Sequence, residues 1–575
     1  MLKISHKAVI SAAAAVMLTA CVDDDYDLSN LDTTVKVNVN ELIIPVNIDE
    51  VLLSDILKLD QDDHVEIVDG KYAIVQDGEF TSGVVNVGAI DLKAPTLNPT
   101  YDNIILGGGA GSRAAGDYTY RIESSHSDFT MHADFVSDFI VSIAHIGCDL
   151  SLNTTVTLQG LDRYVRRVTF TDLEIQLPKG LDLVTGAGES YNATTGVLTI
   201  DRRVITGNVL ELNFTATGVD FVKAGGKYLY DDSQIEVSGS MYIRSGLASI
   251  ASADIIGGSS LPQSVSMMTS YVLSDAYVTS FSGELKYTIS EADLTDVDLT
   301  NLPDVLTQET TNLKFANPCI YLQMNNPLQQ YNLYAETGLK INAWRGEETE
   351  SYPIDEDVFY IGRPARADGV YNFCLSPEMP ATVDPDFAGA EHVGYRDLSY
   401  VLSGNGVPQT LEIELKSPML PTQTVTDFRL GQDLGSLHGK YRFVAPMEFL
   451  DGSTIGYTNV MDGWWDEDMD KLTIQRLEVT ALISTDIPVS LDFKGYPIDK
   501  EGKRIGNVEI VGAKVPANAK NVAVKIHITG EIRGLDGIEY VATANAQEGN
   551  ALAPGMTISM KQIRPKVTGY YQDEL

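Results

Sequence analysis

Strict two-residue alternation of apolar and polar side chains is the feature that most constrains the fold of this chain. From Cys148 to Gln159, apolar residues and one threonine occupy the even positions, and polar residues occupy the odd ones. Since successive side chains of a strand point to opposite faces, this pattern predicts a strand with one buried face. Similar runs occur at 209–214 and 522–528, and a one-residue slip at Thr171-Asp172 predicts a β-bulge. The chain is therefore predicted to be rich in strands.

Helical periodicity, in contrast, is scarce. Residues 51–59 have the length of about two helical turns, and residues 134–146 fit either a short helix or a buried strand. Turn-forming pairs such as Asp69-Gly70 and Glu501-Gly502 separate the strand patterns. We therefore predict an all-β fold with a helix content under roughly 15%, against roughly 30–35% in an average globular protein.

The composition is that of a folded chain despite a strongly acidic balance. Of the 575 residues, 44% are apolar, whereas the formal net charge is −39. The apolar share is too high for a disordered acidic chain. The net charge argues against a nucleic-acid partner, because affinity for phosphates comes from clustered lysine and arginine. The length allows roughly three to five domains.

Glycine-rich segments predict where these domains divide. A flexible linker is predicted at 107–116, a weaker break at 257–260 and a third near 431–439. We expect several tandem β-sandwich domains of the immunoglobulin-like kind behind a lipidated N-terminal tether. The predicted order is a lipoprotein signal peptide at 1–20, an acidic tether at 21–34, an N-terminal β region at 35–106, the linker at 107–116, and β-sandwiches at 117–256, 261–430 and 436–575.

The N-terminus has the order of a secretory signal peptide. A basic start precedes an apolar core at 8–18, which is too short for a stable membrane span. The following Leu18-Thr19-Ala20-Cys21 resembles the lipobox of bacterial lipoproteins. The resemblance implies cleavage after Ala20 and transfer of a diacylglycerol to the sulfur of Cys21, so that buried acyl chains anchor the protein in a membrane. The alternative is an ordinary signal peptide followed by an incidental cysteine.

An acidic segment with four aspartates follows this cysteine at 23–27. It resembles the export signal of surface lipoproteins from the Bacteroidota, and residues 26–34 resemble the start of an uncharacterised group of such lipoproteins. The resemblance implies a location on the outer face of the outer membrane, with the periplasmic face as the alternative. The same charges are also expected to repel one another and keep the segment extended as a tether.

Two internal segments carry resemblances at the level of the fold. Residues 177–181, followed by 191–200, resemble the immunoglobulin-like modules of bacterial surface proteins, in which a strand ends in a Pro-Gly turn and a tyrosine-led hairpin re-enters the sheet. The pairs Asn317-Pro318 and Asn326-Pro327 resemble a signature of the late-embryogenesis, desiccation-type β-sandwich. These resemblances imply sandwiches with Greek-key connections and transfer no active site.

Common catalytic and metal-binding motifs are absent from the sequence. It contains no His-Glu-x-x-His, Gly-x-Ser-x-Gly or Cys-x-x-Cys. The closest histidine pair, His126 and His132, is expected on a polar surface. Cys148, Cys319 and Cys374 are too few and too scattered for a disulfide framework, and they are expected to be small core residues.

An acidic loop at 466–470 begins like a calcium-binding loop, with aspartate at alternate positions. However, Lys471 and Leu477 stand where an EF-hand has glycine and glutamate. The loop is therefore expected to be solvated, with a looser calcium site as the alternative. We predict no metal site and no cofactor.

Two adjacent tryptophans precede this loop, and the whole chain contains only three. Since neighbours in a strand face opposite ways, either Trp464 or Trp465 would be displayed if the other packs inward. An exposed indole would offer a platform on which a sugar ring stacks. The alternative is that both residues anchor the loop to the core. Trp344 is a poorer candidate for the same role.

These observations favour a non-enzymatic outer-membrane surface lipoprotein with a binding, adhesion or structural role. The alternative is a surface glycan-binding protein for nutrient capture. A glycoside hydrolase is a third class, which would require two converging carboxylates. The expected partners are the membrane, through the N-terminal lipid, and a glycan or a cell-surface protein.

Overall fold

The structure, a computed structural model, describes residues 34–43, 46–57, 64–107, 117–133, 136–225, 228–229, 235–290, 292–353, 358–416, 418–463 and 472–574. Strands account for 62% of the chain and helices for 6%. The predicted all-β class is therefore confirmed. Within the described ranges, no helix is long and apolar enough to cross a membrane.

The described strands are numbered in chain order. The first eighteen are β1 (Thr34–Ile43), β2 (Val46–Leu52), β3 (Val65–Val68), β4 (Lys71–Val84), β5 (Ile90–Leu92), β6 (Thr100–Gly107), β7 (Asp117–Arg121), β8 (Ser127–Ala133), β9 (Ile140–Leu158), β10 (Arg167–Gln176), β11 (Leu181–Val184), β12 (Glu189–Asn192), β13 (Val197–Thr206), β14 (Val209–Asp220), β15 (Tyr228–Leu229), β16 (Ile235–Ala251), β17 (Ser264–Leu273) and β18 (Ala276–Thr288). The next thirteen are β19 (Ala292–Leu294), β20 (Val297–Asp298), β21 (Cys319–Asn325), β22 (Ala335–Thr337), β23 (Leu339–Arg345), β24 (Glu348–Pro353), β25 (Phe359–Ile361), β26 (Val370–Ser376), β27 (Glu391–Gly394), β28 (Thr410–Leu415), β29 (Met419–Arg429), β30 (Ser436–Pro446) and β31 (Glu448–Phe449). The last nine are β32 (Thr454–Met461), β33 (Leu472–Thr485), β34 (Ser490–Ile498), β35 (Val508–Val511), β36 (Ala513–Val515), β37 (Val522–Arg533), β38 (Gly537–Asn545), β39 (Asn550–Ala551) and β40 (Thr557–Glu574).

The described helices are all short. The α-helices are α1 (Leu53–Leu57), α2 (Phe221–Ala224) and α3 (Asp304–Thr307). Turns of 3₁₀-helix occupy Leu161–Arg163, Ser252–Asp254, Gln329–Tyr331, Pro385–Phe387 and Arg396–Tyr400. The predicted helix at 51–59 is thus reduced, in its described part, to the five residues of α1.

The chain divides into two compact units, each discontinuous in sequence. The first consists of the described residues of Met1–Ile56, Thr454–Ala546 and Gly555–Leu575. One of its sheets has the order β1-β40-β33-β37-β35, with β2 also paired to β40, and the other has the order β32-β38-β34-β36. Leu477 and Ile528 of the first sheet share a buried cluster with Ile538 of the second. The two sheets therefore pack face to face as a β-sandwich.

The second unit consists of the described residues of Leu57–Ser453 and Gln547–Pro554. It contains a 17-stranded sheet system in which the long strand β9 pairs with β14, β15, β17 and β18. It also contains an 11-stranded sheet whose main path is β24-β23-β28-β19-β4-β30-β21-β26-β27. The centre of this second sheet positions the candidate site.

Several local predictions are confirmed. The alternation that starts at Cys148 belongs to β9, and residues 140–146, which fitted helix or strand, continue the same strand. The predicted bulge is present, because the pairing of β10 with β16 shifts between Thr171 and Glu174, and Asp172 has a φ of 50°. The tyrosine-led hairpin is also present as β12 paired with β13.

The limits of the two units differ from the predicted tandem order. β1 pairs with β40 near the opposite end of the sequence, and β17, which follows the predicted break at 257–260, pairs with β9, which precedes it. Glycine-rich composition reports local flexibility, whereas antiparallel pairing joins strands that are distant in sequence. Residues 108–116 of the predicted linker lie outside the described residues.

Candidate functional site

An open groove crosses one face of the 11-stranded sheet in the second unit. It has a volume of about 690 Å³ and extends over the four adjacent strands β4, β30, β21 and β26. We call it the polar groove, and its described lining residues are Glu79, Phe80, Thr81, Gln323, Met324, Asn325, Val370, His438, Gly439 and Lys440.

A row of polar side chains crosses these strands because their register places the residues opposite one another. Gln323 of β21 is opposite Lys440 of β30 on one side and Asn372 of β26 on the other. Lys440 is in turn opposite Glu79 of β4. Directly opposite residues in a sheet have side chains on the same face, so this row presents an acid, a lysine and two amides together.

A second row lies two residues away, as the strand period requires. Here Thr81 of β4 is opposite His438 of β30, and Asn325 of β21 is opposite Val370 of β26. The main-chain N–H of His438 donates to Oδ1 of Asn325 at 2.7 Å. Thr81 and His438 are both exposed. The two rows together form the walls of the polar groove.

Residues between the rows close the floor of the groove. Phe80 and Met324 are 5% and 1% exposed, respectively, so they belong to the core beneath it. A Cβ atom on Gly439 would lie 2.0 Å from the main-chain oxygen of Gln323 and 2.7 Å from the ring of Phe80. The close approach at this point therefore requires glycine at position 439.

Hydrogen bonds hold the amide side chains in position. Nε2 of Gln323 donates to Oδ1 of Asn372 at 3.1 Å, and Nδ2 of Asn372 donates to the main-chain oxygen of Ala388 at 3.0 Å. Asn325 is fixed by its contact with His438. Because an amide side chain carries both a donor nitrogen and an acceptor oxygen, Gln323 retains Oε1 as an acceptor for a ligand.

Charged side chains of both signs flank these amides. Nζ of Lys440 lies 3.4 Å from Oδ2 of Asp386 and 5.1 Å from the ring centroid of Phe387. Both contacts attract the ammonium group, although each is weak at an exposed position. Glu79 and His438 are exposed on the neighbouring strands. The lysine is therefore oriented at one wall while remaining accessible to a ligand.

This arrangement is suited to a ligand that both donates and accepts many hydrogen bonds. The volume lies within the roughly 300–1,000 Å³ that small-molecule sites usually have. Among the described lining residues, Glu79 is the single carboxylate. Across the described part of the chain, no group of three or more His, Cys, Asp or Glu side chains could hold a metal ion.

Trp344 belongs to a different polar surface, on β23 and β28 of the same sheet. Its Nε1 donates to Oε2 of Glu412 at 3.1 Å, and Nδ2 of the buried Asn342 donates to the same Glu412 oxygen at 3.0 Å. Asn342 also bonds to Glu414. These bonds occupy the polar edge of the indole, so the described contacts fit a structural role for Trp344.

The predicted burial of the three described cysteines is confirmed. Cys148, Cys319 and Cys374 are 3%, 4% and 0% exposed and form no disulfide. Burial raises the pKa of Cys148 to about 11. Interaction with Cys374, together with burial, raises the pKa of Cys319. The thiols of Cys148 and Cys319 are held protonated in this way and are poor nucleophiles. The hydrogen bond with Cys319 instead lowers the pKa of Cys374, whose side chain is fully buried.

None of the other predicted site residues is among the described residues that line the polar groove. Cys21, Trp464 and Trp465 lie outside the described residues, as does the acidic loop at 466–470. Their roles therefore stay predictions. His126 stacks on Tyr242, and His132 lies on β8.

Sequence reasoning missed the polar groove. A partial signal was present, because the polar His438 and Lys440 lie between the buried Leu437 and Tyr441 along β30, and Gln323 and Asn325 flank the buried Met324 along β21. Such alternation predicts a polar face on each strand separately. It does not reveal that the two strands are neighbours, because pairing partners cannot be read from either strand alone.

Comparisons with known proteins assign no family to this chain. No family model matches it, and no curated protein matches it. Among solved structures, a similar one is the crystal structure of a putative secreted protein from Parabacteroides distasonis, with 11% sequence identity and a TM-score of 0.41 over 92% of this chain and 99% of the other. A similarity at this level assigns neither a family nor an activity.

Proposed function

We propose that this protein is a non-catalytic binding protein of the outer-membrane surface, anchored by lipid on Cys21 and displayed for adhesion or for capture of a ligand. The polar groove is the observation that carries the binding role. Its walls combine the amides of Gln323 and Asn325 with accessible charged groups, on four adjacent strands of one sheet. The order of signal sequence, lipobox and acidic tether supports the anchoring and the location.

The second candidate function is glycan binding for nutrient capture, and the lining of the groove favours a glycan as the ligand. Sugar hydroxyls donate and accept hydrogen bonds, as do the amides of Gln323 and Asn325. Adhesion through another macromolecule is the alternative for the same groove.

A glycan array with the soluble chain, residues 22–575, tests the ligand class. If a glycan binds, Gln323→Leu should weaken its affinity by about fivefold, because loss of a hydrogen bond to a neutral partner costs on the order of 1 kcal/mol. The matched control is Gln432→Leu, the same substitution at an exposed position outside the groove. Equal affinities of the two variants would place the glycan elsewhere. Absence of any bound glycan would leave adhesion as the proposed role.

Cys21→Ser tests the anchor. The thioether to the lipid requires the cysteine sulfur, so the variant should lose incorporation of labelled fatty acid and leave the membrane fraction. The measurement is metabolic labelling followed by fractionation, with Cys148→Ser as a control at a buried cysteine. A labelled, membrane-bound Cys21→Ser protein would contradict lipidation at this residue.

A further inference from the structure

The strand β16, in the second unit, changes its neighbours along its length. On one side it pairs with β8 over residues 235–241 and with β7 further on. On the other side it pairs with β10, and that pairing stops where Tyr242 is opposite Gln176. Pro178 follows shortly after and has no N–H with which to extend the ladder. Within the described part of the chain, no strand pairs with this second side of residues 236–240. We call this side the open edge.

Two sets of hydrogen bonds determine which main-chain groups point to the open edge. In the connection between β7 and β8, the main-chain N–H of Ile243 donates to Oγ of Ser124 at 2.8 Å, and the main-chain N–H of Ser124 donates to the main-chain oxygen of Ile243 at 3.0 Å. On the far side of β8, the main-chain oxygen of His132 accepts from Lys93 at 3.0 Å. The N–H and C=O groups of successive residues in a strand point to opposite sides. Since Ile243 points toward the side of β7 and β8, and His132 points away from β16, the odd-numbered residues of β16 and β8 bond to each other. The N–H and C=O groups that point to the open edge therefore belong to Glu236, Ser238 and Ser240.

A cleft of about 460 Å³ runs along this edge. Residues 236–240 form one wall, and Val219 and Phe221, which are 2% and 8% exposed, contribute an apolar surface. At one end, the ring of His126 stacks on Tyr242 with centroids 3.8 Å apart and an interplanar angle of 27°. Lys179 and Glu236 are exposed at the rim.

The chemistry of the cleft matches an extended main chain. Five residues in a strand span about 17 Å, and alternate donors and acceptors along that length are the groups that an added strand satisfies. Val219 and Phe221 provide apolar contacts for side chains of such a segment. A compact polar ligand would leave this regular series of main-chain groups only partly bonded.

We propose that the open edge of β16 receives an extended, cationic peptide segment of a partner protein as an additional strand. The charge of the chain carries the choice of partner. At a net charge of −39, two copies repel one another, whereas a cationic segment is attracted. Glu236 lies at the edge itself, and Asp128 bonds to the side chain of Ser240 on it. This interaction surface is separate from the polar groove, and it extends the proposed binding role to a protein partner.

Fluorescence anisotropy with the full-length protein in detergent tests the edge. The probe is a short, blocked peptide of alternating lysine and valine. Two further peptides of the same sequence carry N-methyl groups on alternate residues, one in each register. Binding should be lost for the register whose N–H groups face β16 and retained for the other. Equal binding of all three peptides, or no binding of the parent peptide, would overturn the proposal.

A pair of protein variants tests the same edge from the other side. Ser238→Pro removes an N–H that points to the open edge and should weaken peptide affinity at least about tenfold, whereas Ser238→Ala retains that N–H and should bind like the parent. Unchanged affinity of Ser238→Pro would contradict the proposal. Sedimentation of the protein alone should show a monomer. A dimer that Ser238→Pro abolishes would instead identify a second copy of the chain as the occupant of the edge and would contradict the proposal. Gln323→Leu should leave peptide binding unchanged. The peptide experiment therefore tests the open edge independently of whether the polar groove binds a ligand.

Discussion

The polar groove and the open edge of β16 lie in the same unit but present different parts of the chain. Each of the four strands under the groove has a neighbour on both sides along at least part of its length, so the groove presents mainly side chains to a ligand. Along residues 236–240 no described strand pairs with one side of the ladder, and the main chain itself remains for a partner. A side-chain surface selects a ligand through a few replaceable groups, whereas a strand edge recognises almost any extended segment. Selectivity at the edge must therefore come from the cleft walls and from charge.

The largest expected effect comes from removing the support of the groove. Tyr441, 1% exposed on β30, packs its ring against Gly78, where a Cβ atom would lie 2.2 Å from it, and its hydroxyl donates to the oxygen of Thr295. Tyr441→Ala should lower the free energy of unfolding by about 3–5 kcal/mol, measured by urea denaturation. Tyr441→Phe, which keeps the ring, should cost only about 1 kcal/mol. Equal costs of the two variants would show that the ring does not support the groove.

The next effect tests the assignment of the open edge. Val237→Pro removes an N–H that bonds to β8 and should cost about 3 kcal/mol in free energy of unfolding. Ser238→Pro removes an N–H on the open side and should cost less than about 1 kcal/mol, since proline is tolerated on unpaired edges. Thermal and urea unfolding of both variants give the comparison. A larger cost for Ser238→Pro would mean that the alternation along β16 is reversed.

The smallest effect concerns the wall opposite the edge. Asp220 caps α2, since its Oδ1 accepts from the main-chain N–H of Lys223 at 3.0 Å, and its Oδ2 lies 2.9 Å from the ammonium of the same lysine. Burial alone would raise the pKa of Asp220, but the bonds from Lys223 outweigh it and lower the pKa below the usual 3.8. Asp220→Ala should therefore cost about 1 kcal/mol of stability at neutral pH.

The same residue predicts a pH dependence with a definite sign. Because the folded state lowers the pKa of Asp220, its ionised form stabilises the protein above the unfolded value, and this contribution is lost as the pH falls through the folded value. Asp220→Asn keeps the capping acceptor but removes the charge. Its difference in stability from the parent, about 0.5 kcal/mol at neutral pH, should shrink as the pH falls below 3.8 and vanish below the folded-state pKa. A difference that persists there would show that the charge is not its source.

Local features of the fold could be predicted because they depend on residues that are close in sequence. Alternation from Cys148 onward requires only that one face of a strand be buried, and β9 has that face. The slip at Thr171-Asp172 predicted the bulge for the same reason. The candidate site was not predicted, since Gln323 and Lys440 belong to strands whose adjacency has no local signal. The tryptophans favoured by composition, Trp464 and Trp465, lie outside the described residues, and their role stays a prediction.

The sequence by itself therefore determined that the chain is built from strands, which side chains point inward, and where a bulge interrupts them. Side-chain burial along a strand alternates with a period of two residues, and this period can be recognised from consecutive residues of the sequence. Only the tertiary structure decided that β1 pairs with β40, that four strands align their polar rows into a groove, and that β16 keeps an open edge beyond β10. Main-chain hydrogen bonds are the same for every strand, so partner and register are chosen by packing across the whole unit.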